Sequence, residues 1–338
     1  MISVIVPAFN AAATIDRCIN SIDAARKRHD IELIIIDDGS RDETPKLLDK
    51  WVGIRSWITV ICQKNQGLSA ARNAGINITK GGYIVFVDAD DTIDDWYFDF
   101  IIKKAVIPEV DMLVFGHKRI MLDGSVIERK NIIAEYTLEG IKQLQMKVTE
   151  HSNIYWYAWA RVYSKKLIED LRFDYNVKFA EDTIFHIRCL NKAKHISVVS
   201  DCPYNYYEHS TSLTSSSYKP SFLESIEAHY NARISAHIWP ENLTERKMLL
   251  SDIARSYVES MLPYLLNNLV YLAGTARRKE LIRIRESFVY EQCIPNYTHR
   301  HPARGIRTLI LYFSKRRYMI TLNLLQLIWF KNRQKIFK

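Results

Sequence analysis

Residues 83–91 read Tyr-Ile-Val-Phe-Val-Asp-Ala-Asp-Asp, an apolar run that gives way abruptly to acids. Five apolar residues are too few for a helix, and such runs are typical of strands that are buried on both faces. Similar short runs occur earlier at Ile2–Val6, Glu32–Ile36 and Ile58–Ile61, separated by helical patterns such as the alanine-rich Leu68–Ile78. This alternation predicts an α/β fold, in which βαβ units form a mostly parallel, Rossmann-like sheet flanked by helices.

Polar loops follow all four predicted strands. They read Pro-Ala-Phe-Asn at 7–10, Asp-Asp-Gly-Ser at 37–40, Gln-Lys-Asn-Gln-Gly at 63–67 and Asp-Ala-Asp-Asp at 88–91. In an open parallel sheet, ligands bind beyond the carboxyl ends of the strands, where helix N-termini and loop amides converge. We therefore expect the four loops to line one crevice.

The loop at 88–91 is the most acidic, and Asp94 and Asp95 follow it closely. Carboxylates this close repel one another unless a cation lies among them, and hard divalent ions prefer such oxygen ligands. The pattern is consistent with a magnesium or manganese site that binds a diphosphate, and also with a solvated acidic loop before a helix. A calcium-binding EF-hand is excluded because Ile93 stands at the sixth loop position, where that motif requires glycine.

Two other loop residues have both a structural and a functional interpretation. Asp38 either supports the turn at Gly39 or accepts hydrogen bonds from a nucleotide base or ribose. Arg72, in the predicted helix after the third loop, either forms a structural salt bridge or grips two oxygens of a phosphate. No GxGxxG or GxxxxGK sequence is present, so the phosphate loops of dinucleotide-dependent redox enzymes and of P-loop enzymes are missing.

A fifth motif, Glu-Asp-Thr-Ile-Phe at 181–185, completes an ordered set with the four loops. In this order and spacing, the five motifs resemble glycosyltransferase family 2 over roughly residues 1–215. The resemblance implies a GT-A fold, a nucleotide-diphosphate sugar donor such as a UDP-sugar, Mn²⁺ or Mg²⁺ as cofactor, and inversion at the anomeric carbon.

The resemblance also implies roles for individual residues. The residues implied to bind the nucleotide-sugar are Pro7, Ala8, Phe9, Asn10, Asp38, Arg72, Asp88 and Ala89. Asp38 would contact the base, Asp90 would bind the metal, and Asp182 would be the general base. From the residues alone, Glu181 and Asp182 are also explained as acids in the first turn of a helix that continues to Lys192.

Further candidates for the same site are Glu181, Trp159, Arg161 and His209. Arg161 stands where the family usually has lysine. His209 either contacts the diphosphate or the metal, or is a solvated loop histidine.

Two regions are expected along the chain. Residues 1–218 form the catalytic GT-A domain, with a nucleotide-binding half at 1–105 and an acceptor-facing half at 106–218. Residues 219–338, which follow a stretch rich in Ser and Thr, are predicted to be mostly helical.

Basic residues are concentrated at the C-terminal end. Nine of the 47 Lys and Arg residues lie in residues 301–338, which contain no acids, so the other 38 balance the 38 acidic residues. Apolar clusters alternate with basic groups between Arg304 and Phe330, which predicts an amphipathic helix that lies on an anionic membrane surface. Packing of this helix on the catalytic domain is the alternative. No nucleic-acid partner is expected, because no binding module accompanies the basic residues.

The remaining features concern location and competing functions. The five cysteines are scattered and odd in number, residues 1–6 carry no signal-peptide pattern, and no apolar run reaches about 18 residues. We expect a cytoplasmic enzyme, peripheral on the inner face of the plasma membrane, that extends a polyprenyl-diphosphate-linked glycan in bacterial capsule, O-antigen or exopolysaccharide synthesis. The alternatives are a sugar nucleotidyltransferase and an inactive nucleotide-binding scaffold.

Overall fold

The computed structural model describes residues 1–27, 29–131, 133–137, 141, 144, 157–208, 220–261, 265 and 269–297. Its first four strands are β1 (Ile2–Ala8), β2 (Ile31–Asp37), β3 (Ile58–Cys62) and β4 (Tyr83–Phe86). They lie in the order β3-β2-β1-β4, and all three pairings are parallel. The predicted α/β architecture is therefore confirmed. Ala8 pairs with Asp37 and Asp37 with Cys62, so these strands end at one edge.

Three helices connect these strands: α1 (Ile15–Arg26), α2 (Thr44–Ile54) and α3 (Leu68–Ile78). The apolar face of α1, formed by Ile15, Cys18, Ile19 and Ile22, is buried in the core. Helix α3 lies very close to β1. A Cβ atom added at Gly75 would stand only 2.5 Å from Cγ2 of Ile5. The small residues of this helix thus set its distance from the sheet.

Among the described residues, eight strands of two to four residues follow β4. They are β5 (Thr92–Ile93), β6 (Met112–Val114), β7 (His117–Ile120), β8 (Val126–Arg129), β9 (Ala134–Tyr136), β10 (Arg161–Ser164), β11 (Ile196–Val198) and β12 (Tyr204–Tyr207). Four of them extend the main sheet to the order β3-β2-β1-β4-β10-β6-β11-β9, in which β10 runs antiparallel to both its neighbours. The others form a second sheet, β5-β12-β7-β8. Helices in this part are α4 (Tyr97–Ile101), which continues as a π-helical turn at Ile102–Val106, α5 (Lys165–Ile168) and α6 (Glu181–Lys192).

The described chain divides into two compact units, one formed by residues up to 208 together with 231–238, the other by residues 220–230 and 239–297. Helix α7 (Phe222–Ala236) contributes to both, and the second unit also contains α8 (Leu243–Ser256), α9 (Gly274–Arg285) and α10 (Phe288–Asn296). The expected helical character is confirmed for the described part of residues 219–338. The predicted boundary at 218 and the basic segment 301–338 lie outside the described residues.

Candidate active site

The first two loops hold each other at the edge of the sheet. Asn10 has a φ of 50°, and its Oδ1 accepts a hydrogen bond from the Arg41 N–H at 2.8 Å. In return, the Asn10 N–H donates to Oγ of Ser40 at 2.8 Å. Pro7 and Ala8 are buried at the end of β1, whereas Phe9 is 48% exposed. Of the four predicted pocket residues, Phe9 is thus the one with a large accessible ring.

Asp38 organises the third loop. It is 3% exposed, and its carboxylate accepts hydrogen bonds from Nε2 of Gln63 at 2.7 Å and from the N–H groups of Gln66 and Gly67 at 2.9 and 2.7 Å. The loops approach so closely here that a Cβ atom at Gly39 would lie 2.9 Å from the Asn65 nitrogen. The structural role of Asp38 is clear, and its contact with a base stays a prediction.

The acids of the 88–91 loop have different environments. Asp91 is fully buried, and its carboxylate accepts hydrogen bonds from the Tyr204 hydroxyl at 2.7 Å and the Tyr207 N–H at 2.9 Å. Burial, reinforced by Asp88 and Asp90, raises the pKa of Asp91 to about 8. Asp91 therefore fastens β12 to the loop, a role that no sequence signal separates from those of its neighbours.

Asp88 and Asp90 are only half-buried and are suited to a divalent cation. Burial raises the pKa of Asp88 to about 6 despite the nearby Arg72, and Asp90 adds to this rise. Within the described ranges, no group of three or more His, Cys, Asp or Glu side chains is arranged to hold a metal. Magnesium-type sites, however, commonly use one or two carboxylates together with substrate phosphates and water. The residues present fit such a shared site.

Arg72 joins the acidic loop to the predicted base. It is 2% exposed, and its Nη1 lies 2.9 Å from Oε1 of Glu181 and 2.7 Å from Oδ1 of Asp182. Its Nη2 lies 3.5 Å from Oδ1 of Asp88. Burial opposes the charge on this guanidinium, but the three carboxylates raise its pKa above the ordinary value. The salt-bridge interpretation of Arg72 describes these contacts, and phosphate binding stays a prediction.

Asp182 lies in the first turn of α6, at the N-terminal end of the helix. Besides Arg72, it is held by the Ala158 N–H, which donates to its Oδ2 at 3.0 Å. The residue before the helix, Ala180, has a φ of 55°, a conformation that costs a non-glycine residue about 1–2 kcal/mol. Its neighbour Glu181 has its pKa raised to about 7, first by burial and then by Asp182.

The family model described as Glycosyl transferase family 2 matches residues 3–172, half of the chain. The chain belongs to glycosyltransferase family 2.

This glycosyltransferase is 31% identical over 238 residues to EpsJ of Bacillus subtilis (strain 168), named an uncharacterized glycosyltransferase, with 70% of the chain and 69% of EpsJ covered. It is 27% identical over 216 residues to TarP of Staphylococcus aureus (strain N315), a poly(ribitol-phosphate) beta-N-acetylglucosaminyltransferase, with 61% of the chain and 62% of TarP covered. The crystal structure of S. aureus TarS 1-349 in complex with UDP-GlcNAc superposes with a TM-score of 0.66 at 20% identity, covering 94% of the chain and 93% of that structure. This likeness confirms the GT-A fold.

Two further candidates of the glycosyltransferase lie beside Asp182. Arg161 is 1% exposed at the start of β10, and its Nη1 donates to the Ala160 carbonyl at 2.6 Å. Burial lowers its pKa to about 10, so it stays charged at neutral pH. Trp159 is 4% exposed and packs against Tyr204 of β12. His209 lies outside the described residues.

The sequence did not single out several residues that build this site. Tyr204 and Tyr207 hold Asp91, and Arg17 donates from Nη2 to the Asp90 carbonyl at 2.5 Å. The Arg17 guanidinium also lies 3.7 Å from the centre of the Tyr207 ring. Their only sequence signal is the aromatic content of Tyr204–Tyr207, which does not specify a partner.

Proposed function

We propose that this protein is an inverting, metal-dependent glycosyltransferase that moves a sugar from a UDP-sugar to a hydroxyl group of a glycan acceptor. One observation carries the proposal: Arg72 lies 2.7 Å from Asp182 and 3.5 Å from Asp88, which puts the predicted base beside the predicted donor loop. The description of TarP as an N-acetylglucosaminyltransferase and the UDP-GlcNAc complex of TarS support a UDP-sugar donor, with N-acetylhexosamine as the first candidate sugar.

The donor would lie along the edge of the sheet. Phe9 offers a ring for stacking on the base, while Asn10 and Asp38 fix the loops around it. Asp88 would face the ribose or the sugar. Asp90 and Asp88 would hold the divalent cation, which when bound neutralises charge on the departing diphosphate.

Asp182 would act on the acceptor. The acceptor oxygen forms a bond to the anomeric carbon as the bond from that carbon to the diphosphate breaks, and the diphosphate leaves with the electron pair. Asp182 takes the proton of the hydroxyl group. Arg72 and the Ala158 N–H each occupy one lone pair of this carboxylate and hold it in place, and further lone pairs stay available for the acceptor.

A donor screen tests this proposal without knowledge of the acceptor. Hydrolysis of UDP-, GDP- and dTDP-sugars is measured with Mn²⁺, with Mg²⁺ and with EDTA. We expect hydrolysis of one or a few UDP-sugars that stops in EDTA. Equal hydrolysis with and without metal would contradict the metal dependence, and release of pyrophosphate from a sugar phosphate and UTP would instead indicate a nucleotidyltransferase. UDP binding without any turnover would indicate the scaffold.

The acceptor is proposed to be a glycan linked to a polyprenyl diphosphate in bacterial surface-polysaccharide synthesis, met at the inner face of the plasma membrane. The support is the charge of residues 301–338, which carry nine basic and no acidic groups. No helix within the described part of the chain is long and apolar enough to cross a membrane. Flotation with anionic liposomes compares the full chain with a variant that ends at residue 300. We expect only the full chain to float, and equal flotation would contradict a membrane role for the C-terminal segment.

A further inference from the structure

Five aromatic rings form a continuous aromatic wall, defined as His117, Tyr157, Trp159, Tyr204 and Tyr206. Trp159 is at its centre, stacked on Tyr204 at 4.5 Å and on Tyr157 at 4.6 Å between ring centres. Its ring is also nearly parallel to Tyr206 at 5.5 Å, and His117 meets it edge-on at 4.9 Å. Tyr204 is fully buried and Tyr157 is 39% exposed, so the aromatic wall runs from the core to the surface.

The aromatic wall is connected to the proposed reaction centre at two points, directly through Tyr204 and through the backbone of Ala158. At the first point, the Tyr204 hydroxyl donates to Asp91 at 2.7 Å and accepts from the Asp88 N–H at 3.1 Å. At the second, Ala158, which lies between Tyr157 and Trp159 in the chain, donates its N–H to Asp182 at 3.0 Å. Tyr157, whose ring is exposed, is thus the chain neighbour of a residue that binds Asp182.

The backbone conformation of Tyr157 favours a ligand-binding role for its exposed ring. Its φ is 66°, a conformation that is disfavoured for a bulky residue. Residues in such strained conformations cluster at ligand-binding sites. A glycine would adopt this conformation without strain, yet a large ring stands here and is well exposed. Core packing alone does not account for a strained residue whose side chain remains accessible.

The chemistry of the aromatic wall favours an uncharged, hydroxylated ligand. Aromatic rings offer an apolar face, and the Tyr206 hydroxyl and the His117 ring nitrogens add hydrogen-bonding groups. Burial, with Arg161, Arg129 and Arg119 nearby, lowers the pKa of His117 to about 4, so this ring is neutral at physiological pH. Sugar rings combine an apolar C–H face with hydroxyl groups and match such a surface.

We propose that Tyr157 and the aromatic wall bind the terminal sugar of the acceptor, an uncharged pyranose ring whose C–H face lies on Tyr157. This inference rests on the proposed function and narrows it, because an alditol phosphate chain has no such face. Tyr157 would be a positioning residue that sets the acceptor hydroxyl group against Asp182.

Direct binding measurements test the proposal. Saturation-transfer difference NMR is recorded with octyl glycosides of glucose, galactose and N-acetylglucosamine and with ribitol 5-phosphate, each with and without UDP. We expect at least one pyranoside to receive saturation at its ring protons and to bind about tenfold or more weakly to Tyr157→Gly, which removes the ring and also relieves the backbone. Tyr157→Phe should retain binding. Tyr271→Ala, which removes a tyrosine that is 49% exposed in the second unit, is the matched control and should bind like the parent protein.

The outcomes separate the two proposals. Binding of no pyranoside, or equal binding to the parent protein and Tyr157→Gly, overturns the sugar-binding role of Tyr157 while UDP binding stands. Failure of UDP to bind overturns the proposed function, and the glycoside signals recorded without UDP still decide the role of the aromatic wall. For a glycoside that is transferred, the glycine variant should raise KM for the glycoside and leave KM for the UDP-sugar unchanged, a split that a purely structural role would not produce.

Discussion

Two sides of the site meet their backbone requirements in different ways. The proposed donor side comprises the loops at 7–10, 37–40 and 63–67, and the proposed acceptor side comprises the residues around Asp182. On the donor side, the positive-φ positions are occupied by residues that tolerate them: Asn10 at 50°, Gly39 at 78° and Gly67 at 91°. On the acceptor side, Tyr157 at 66° and Ala180 at 55° occupy the same region although neither tolerates it well. Both of these flank the contacts of Asp182. The proposed donor loops are thus built at low conformational cost, whereas strain is stored beside Asp182, the proposed base.

The two sides also differ in how far apart their partners lie in sequence. Asp38 binds residues of the next loop, about 25 to 29 positions away. On the acceptor side, Arg72 and Asp182 are 110 positions apart. The donor side therefore depends on contacts between successive βα units, and the acceptor side on contacts between residues far apart in the chain.

The largest effect is expected from Asp182→Asn on the acceptor side. The amide cannot take the proton of the acceptor, and general-base catalysis contributes about 10²- to 10⁴-fold to rate. We expect transfer to fall by this factor while UDP binding, measured by calorimetry, is retained. The control Asp170→Asn removes an exposed acid that pairs with Lys192 and should leave transfer unchanged. Full transfer activity in Asp182→Asn would show that another residue is the base.

Replacing Arg72 should break the link between the two sides. Arg72→Ala leaves Asp182, Glu181 and Asp88 without their shared cation, and removal of one partner from a buried ion pair costs about 3–5 kcal/mol. We expect a loss of this order in the free energy of unfolding, measured by urea denaturation. Arg55→Ala, which breaks a surface pair with Asp23, is the matched control and should have a much smaller effect. Equal losses of unfolding free energy in the two variants would mean that the ion pairs of Arg72 stabilise the protein no more than a surface pair does.

The different sequence separations of these contacts explain which parts of the site can be predicted from the sequence. The four loops and the helix at 181–192 follow from local signals, since each loop comes directly after an apolar run and α6 has helical spacing with acids in its first turn. Nothing local indicates that Asp91 binds Tyr204 or that Arg72 reaches Glu181, because these contacts depend on tertiary register. The second sheet is missed for the same reason: β5 has two residues, and its pairing with β12 spans more than a hundred positions.

On the donor side, the close approach of two loops at Gly39 can be tested separately from its dihedral angle. Gly39→Ala adds both a left-handed strain and a contact 2.9 Å from the Asn65 nitrogen, and we expect a loss of about 2–4 kcal/mol in stability. Gly124→Ala has the same kind of strain, with φ at 81°, but nothing within 4 Å of the added Cβ, so its loss should be about 1–2 kcal/mol. Thermal unfolding of both variants gives the difference, and equal losses would contradict a tightly packed donor loop.

A smaller, pH-dependent effect is expected for Glu181→Gln on the acceptor side. Burial raises the pKa of Glu181 from 4.5 to about 7 in the folded protein, so the folded state binds more protons than the unfolded state between these values. Stability attributable to this group therefore falls as pH rises through this window.

Glutamine at position 181 removes the titration but keeps an oxygen for Arg72. Unfolding in urea with EDTA is measured at intervals from about pH 5 to pH 8, and we expect the variant to gain on the order of 1 kcal/mol relative to the parent protein across this range. Asp91 titrates in both proteins, and Asp88 enters the difference only through its repulsion of Glu181. If the free energies of unfolding of the two proteins change with pH in parallel, burial does not raise the pKa of Glu181. The strain on the acceptor side would then lie only in the backbone of Tyr157 and Ala180.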